Sequence, residues 1–162
     1  MSPDPRPSAV LAADPRHSSS VPWVFARVAV ERITDLTPTF RRLALRPEEP
    51  DLLADPGFDQ RIKLVPPSPQ GIERMPTDTE WYTTWRALPD AERPPFRTFT
   101  IRGFDDGALL VDIALHGPEG PAARWATTAQ LGDELLVLAP NAAHPGPHGG
   151  VEDVLLRADG RV

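Results

Sequence analysis

A chain of 162 residues has the length of one domain and enough apolar content for a real core. Its 17 basic and 23 acidic side chains give a net charge of −6 and form no lysine- or arginine-rich run, which argues against nucleic acid or an anionic membrane surface as the main partner. The absence of cysteine excludes disulfides, thiolate metal sites, iron–sulfur clusters and a cysteine nucleophile, and no apolar run is long enough to span a bilayer.

Residues 1–21, rich in Pro, Ser, Ala and Asp, read as a disordered leader without the basic-then-apolar order of a signal peptide, which fits a cytoplasmic protein. The patterned part of the chain is 22–141. Trp23–Arg32 is rich in β-branched and aromatic residues, with Val24, Ala26, Val28 and Val30 on one face at period two, and predicts a strand. Ile33–Pro38 reads as a turn. Thr39–Arg46 then alternates Phe40, Arg42 and Ala44 against Arg41, Leu43 and Leu45, so a long first hairpin is expected. Asp55-Pro56-Gly57 marks a turn before the short strand Gln60–Val65, whose Ile62 and Leu64 share a face and which Pro66, Pro67 and Pro69 stop. Thr77-Asp78-Thr79-Glu80 reads as a capping box with Thr77 as N-cap. The helix it opens carries Trp81, Trp85 and Leu88 at helical spacing, as packing residues, and ends at Pro89.

The candidate chemistry concentrates in Arg97–Pro140. A strand bearing Arg97, Phe99 and Thr100 leads through Asp105-Asp106-Gly107, a strong hairpin signal, into the strand Ala108–His116. There Val111, Ile113 and Leu115 share one face, and Leu110, Asp112, Ala114 and His116 the other. Gly117-Pro118-Glu119-Gly120 opens a short helix at Pro121, and Gly132-Asp133 turns into the last strand, Glu134–Leu138. Proline suits the first helical position, and the small Ala122 and Ala123 let a ligand approach the free N–H groups of the first turn. Those N–H groups and the helix dipole both favour an anion. Arg97 would add a planar, permanently charged fork for phosphate oxygens, with Phe99 as an aromatic edge beside it. By spacing alone, a glycine-led turn before an Ala-rich helix reads first as a loop and a packing helix, and only second as an anion site. His116 alone reads as a hairpin-end histidine bonded to backbone. No catalytic triad, carboxylate dyad or metal cluster is legible, and Pro145, Gly146 and Pro147 forbid a helix that would align His144 with His148. Residues 142–162 form a loop and tail, with Val151–Leu156 as a last short strand. About six strands and two short helices, joined mostly by turns, predict an all-β fold. We expect a six-stranded antiparallel Greek-key-type barrel, which leaves no edge strand.

The blocks Arg-Thr-Phe-Thr-Ile-Arg, Asp-Ile-Ala-Leu-His-Gly, Gly-Pro-Ala-Ala-Arg-Trp-Ala, Gly-Asp-Glu-Leu and Ala-Pro, in this order, closely resemble the flavin-binding domain of the siderophore-interacting proteins. These are FAD-dependent ferric-siderophore reductases of the ferredoxin-reductase-like superfamily. The resemblance is strongest over residues 97–140 and extends weakly back to Pro22. It implies a flavin-reductase-like barrel with FAD as cofactor. It further implies that Arg97 pairs with the diphosphate, Phe99 lies against the isoalloxazine or ribityl portion, and Thr100 hydrogen-bonds near the reactive ring edge. His116 would sit beside the flavin or its phosphates, Gly120, Pro121, Ala122 and Ala123 would cradle the diphosphate through backbone groups, and Trp125 would pack the helix onto the barrel. The family usually has tyrosine where Phe99 stands; one hydroxyl contact is lost, worth about 0.5–1.5 kcal/mol, while stacking survives.

The resembled reductases continue into a Rossmann-like domain that binds NAD(P)H, and Val154–Gly160 reads as a remnant of its first strand. The implied function is a stand-alone FAD-binding module that transfers electrons between a separate donor protein and a small-molecule substrate, a ferric siderophore. An alternative is a barrel recruited as a non-redox cyclase or binding protein for a biosynthetic intermediate, and a third reading is an inactive remnant or accessory subunit. Flavin retention separates the first reading from the others, and Arg97 with the Gly120–Ala123 block favours it.

Overall fold

The computed structural model describes residues 14–57, 59–117 and 120–146; the Val151–Leu156 segment and His148 lie outside the described residues. The strands are β1 (Trp23–Thr37), β2 (Phe40–Pro47), β3 (Arg61–Val65), β4 (Arg97–Asp105), β5 (Ala108–Ala114) and β6 (Glu134–Pro140). Helix α1 (Trp81–Ala87) precedes β4, and α2 (Pro121–Thr128) lies between β5 and β6. They close into a barrel in the order β1-β2-β5-β4-β3-β6, with β6 back against β1 and every pair antiparallel. This is the expected six-stranded antiparallel barrel.

The period-two alternation sets its interior. Val24, Ala26, Val28 and Val30 of β1 meet Leu43 and Leu45 of β2, Ile62 and Leu64 of β3, and Leu109, Val111 and Ile113 of β5 in one buried cluster. The opposite face of β1 and β6 is also covered. Phe25, Val65, Leu136 and Leu138 pack with Ile72 and Met75 beneath Trp81 and Trp85 of α1. Both tryptophans therefore serve as packing residues, and the Trp85 Nε1–H donates to Pro94 O at 2.9 Å.

Two local readings need correction. The first hairpin turns only at Pro38 and Thr39, because Ile33–Thr37 continues β1 instead of turning. Register shifts between Val30 and Arg32 and between Asp35 and Thr37 absorb the extra residues, and Asp35 pairs with Arg41 across the strands at 2.7 Å. The capping box does not form. Asp78 takes over the turn, its Oδ1 accepting Glu80 N–H at 2.8 Å and its carbonyl accepting Trp81 N–H at 3.2 Å, so α1 starts at Trp81 without a side-chain cap.

Helix α2 plugs one end of the barrel. Trp125, Ala126 and Ala129 join the interior cluster, and the Trp125 Nε1–H donates to Asp133 Oδ2 at 3.1 Å. Arg41 closes the other end of this helix, donating to Ala126 O at 2.8 Å and Thr127 O at 3.2 Å, which suits a cation at a helix C-terminus. Before β1, residues 14–21 are bound to the barrel through Asn141, 1% exposed, whose Nδ2 donates to Arg16 O and Val21 O at 2.8 Å each. Among the described residues no helix is long and apolar enough to cross a membrane.

Candidate functional site

The site begins with a fault in the β4 ladder. Arg97–Thr100 pair with β3, from Leu64↔Arg97 to Arg61↔Thr100, whereas pairing with β5 starts only at Ile101↔Val111. The last residues of β5, Asp112–Ala114, pair with β2 alone. The two strands therefore part below Ile101 and leave a gap without a ladder between them, so their facing backbone groups are open to other partners. This gap lies at the end of the barrel where α2 sits.

The predicted residues gather around it. Arg97 is exposed; its Nη1 donates to Phe96 O at 2.7 Å, and no carboxylate lies within salt-bridge range among the described residues. Phe99 shares the inward face of Ile62 and Ile101 and is half-buried against the core. Thr100 is exposed opposite Arg61. His116 is exposed just beyond Leu115, whose N–H donates to Thr39 O at 2.7 Å. Helix α2 starts at Gly120 with no side-chain cap and with Pro121 in the first turn, while the side chains of Ala122 and Ala123 are 2% and 6% exposed. The methyl groups thus face the barrel, and the backbone N–H groups of that turn lack helical acceptors. A Cβ built on Gly120 meets nothing within 4 Å, so the approach to the turn is open. A cation beside an uncapped helix start is an arrangement able to hold a phosphate or diphosphate.

Charge distribution adds to this. Among the described residues Arg16, Arg27, Arg32, Arg41, Arg42, Arg46, Arg74 and Arg93 form salt bridges. Among the described residues Arg61, Lys63, Arg97 and Arg102 on β3 and β4, and Arg86 on α1, enter no salt bridge. Asp112 is engaged instead by Arg42, which donates from Nε and Nη2 to the two carboxylate oxygens at 2.7 and 2.8 Å. These bonds, with the Arg42 charge and that of Arg102, hold the Asp112 carboxyl below the usual carboxylate range against a smaller effect of burial. Asp112 is thus an ion-pair member and not a base partner for His116.

A cavity of about 770 Å³ lies on the neighbouring outer wall over β1, β6, β3 and the start of β4. Trp23, Phe25, Trp81 and Leu138 give it apolar walls, and Arg61, Lys63 and Thr98 a polar side; none of the eight predicted residues lines it. Lys63 Nζ donates to Thr98 Oγ1 at 2.6 Å and lies 5.8 Å from the Phe96 ring centroid. Sequence reasoning missed this cavity. Its one signal was that an inward Ile62 and Leu64 turn Arg61 and Lys63 outward together. Elsewhere, Asp14, His17 and Glu49 bring ligand atoms within 4.8 Å of one another, but Arg16 already pairs with both carboxylates.

Residues 29–144 match the family model of the siderophore-interacting FAD-binding domain. The chain belongs to this family. It is 34% identical over 121 residues to the NADPH-dependent ferric-chelate reductase of Escherichia coli K12, a match covering 74% of this chain and 46% of that protein. Among solved structures, the siderophore-interacting protein SipS from Aeromonas hydrophila is 32% identical with a TM-score of 0.54, covering 72% of this chain and 43% of that one. A siderophore utilization protein from T. fusca is 28% identical with a TM-score of 0.56, covering 74% and 45%. A flavohemoglobin from Malassezia yamatoensis, 14% identical at a TM-score of 0.52, shares the fold. The chain spans less than half the length of these relatives. FAD is the cofactor of the family, and the donor set at the β4–β5 gap fits it: a guanidinium with no carboxylate partner among the described residues and a helix start without a side-chain cap for phosphates, a half-buried aromatic for a ring system.

Proposed function

We propose that this domain holds FAD at the β4–β5 gap and passes electrons to a ferric siderophore, drawing them from a separate donor protein or domain. The observation that carries this reading is the parting of β4 from β5 beside the uncapped start of α2. On this reading Arg97 and the first-turn N–H groups of Ala122 and Ala123, with Gly120 and Pro121 shaping the turn, hold the diphosphate. Phe99 lies against the isoalloxazine or ribityl portion, Thr100 offers its hydroxyl to the ring edge, and His116 stands beside the phosphates. FAD, when bound, supplies reversible one- and two-electron chemistry, while the protein supplies position and electrostatics.

The 770 Å³ cavity is the candidate seat of the ferric chelate, because Thr98 lines it from within the same strand as Arg97 and Thr100. Arg61 and Lys63 would meet the negative charge of the chelate, and the tryptophan walls would exclude water. The cation-rich β3–β4 wall and the uncapped helix start support flavin retention over a vacated pocket reused for non-redox chemistry.

The test is a spectral titration of the purified protein with FAD, followed by photoreduction and addition of a ferric catecholate. We expect flavin bands, saturable binding and re-oxidation by the ferric compound. Arg97→Ala should weaken FAD binding by about 10- to 100-fold, the worth of charge-assisted hydrogen bonds of roughly 1.5–3 kcal/mol. A protein that ignores FAD would sink the proposal.

A further inference from the structure

Phe40 is misplaced for a residue of a barrel wall. Among the described residues four large apolar side chains are exposed, Leu36, Phe40, Tyr82 and Leu131, and two of them flank the β1–β2 turn. Tyr82 stacks on Trp85, whereas Phe40, 45% exposed, has no aromatic neighbour among the described residues. It heads β2 on the outward face shared with Arg42 and Ala44, directly opposite Ala114 of β5. A methyl group as cross-strand neighbour leaves the ring uncovered. The Leu115 N–H to Thr39 O bond holds the segment leading to His116 alongside.

Position along the rim gives the exposure a use. At the α2 end of the barrel the wall runs from Arg97 on β4, past His116 at the end of β5, to Phe40 on β2. On the flavin reading, with the isoalloxazine at β4 and the diphosphate at the start of α2, this rim is the path offered to the adenosine end of FAD. An adenine there meets a flat aromatic face at Phe40 and a second ring at His116, bordered by the Arg42–Asp112 ion pair. We propose that Phe40, with His116 beside it, is the stacking platform for the adenine of FAD, and that it sets the preference of this domain for FAD over FMN. The inference rests on the flavin reading above and adds to it a positioning residue for the nucleotide half.

The test is calorimetric titration of the full chain with FAD, FMN and ADP, for the wild type, Phe40→Ala, Phe40→Leu and Phe40→Trp. FMN lacks the adenine and ADP lacks the flavin. Base stacking on an aromatic is worth roughly a five- to 150-fold change in affinity, so Phe40→Ala and Phe40→Leu should each lose at least about fivefold for FAD and ADP. Neither should change FMN affinity, and Phe40→Trp should retain FAD. Phe40→Leu keeps the apolar bulk of the hairpin, so it serves if Phe40→Ala fails to fold. Equal losses for FAD and FMN, or unchanged FAD affinity in both truncations, would overturn the platform while leaving the flavin site standing. A wild type that binds neither FAD nor FMN would overturn both.

Discussion

Trp125 is where the stability of the barrel and the geometry of the site meet, so truncating it should damage both in a set ratio. The side chain is 8% exposed, sits in the interior cluster with Ala126 and Ala129, and donates to Asp133. A buried tryptophan removes about 150–250 Å² from water, which at about 25 cal/mol per Å² corresponds to roughly 4–6 kcal/mol. Partial collapse of α2 into the space would recover some of this, so Trp125→Ala should cost about 3–5 kcal/mol, the usual range for such truncations. Against a typical total of about 5–15 kcal/mol that is a large fraction. Trp125→Phe keeps most of the packing and removes one bond to a carboxylate. Asp133 retains its bond from Gln130 N–H at 3.0 Å, so the loss should be only about 1–2 kcal/mol. Urea unfolding monitored by circular dichroism would measure both variants, and FAD titration at low denaturant would measure the coupling. We expect FAD affinity to fall in the same order, Trp125→Ala well below Trp125→Phe, because the helix that Trp125 seats also carries the first-turn N–H groups. Loss of stability in Trp125→Ala with undiminished FAD affinity would show that the start of α2 takes no part in binding. A variant within about 1 kcal/mol of the wild type would refute the role of α2 as the barrel plug.

Two further outcomes are expected. The Arg42 guanidinium lowers the Asp112 carboxyl in the folded state relative to the unfolded chain, so this pair stabilises fully above the unfolded value near 4 and loses its effect as pH falls through the lower folded value. Asp112→Asn should therefore flatten the acid limb of stability below about pH 4; urea unfolding at stepped pH would check it, and a wild-type-to-variant difference that stays constant into the acid range would contradict it. Asn141→Ala leaves the Arg16 and Val21 carbonyls without their donor, which should cost about 1–3 kcal/mol and speed tryptic cleavage after Arg16; unchanged cleavage would mean that Asn141 does not hold this segment.

The barrel was legible because its interior follows period two through long stretches, interrupted only at the register shifts of β1 and β4. Ile62 and Leu64, or Val111 and Ile113, announce their face from sequence alone, and Asp105-Asp106-Gly107 announces its turn. The errors arose where local signals compete. Thr77 and Asp78 both offer caps, and only the backbone path decides that Asp78 closes its own turn. Ile33–Thr37 contains turn residues, yet a cross-strand ion pair and two register shifts keep it in the ladder. The blocks proposed for the site were legible in their order along the chain, but not the shape of the gap between β4 and β5. The parting of β4 from β5 depends on β3 and β2 claiming the two halves, a non-local fact that no window of residues contains. The cavity over β3 was hidden for the same reason, since Lys63 and Thr98 become neighbours only through register.

The strand order also explains why an acidic chain can serve anions. Among the described residues most arginines are paired where they stand, as Arg42 is with Asp112 and Arg46 with Glu31. Arg61 and Lys63 line the 770 Å³ cavity and Arg97 stands at the β4–β5 gap, so the net charge of −6 coexists with local cations on β3 and β4. Strand β4 is the common wall. Its alternation turns Arg97 and Phe99 one way and Thr98 and Thr100 the other, and its change of partner at Ile101 opens the backbone edge between them. On the proposed reading, a flavin at that edge would stand one residue from Thr98 in the lining of the cavity, a short path to an anionic ferric compound that would need no side chain to react.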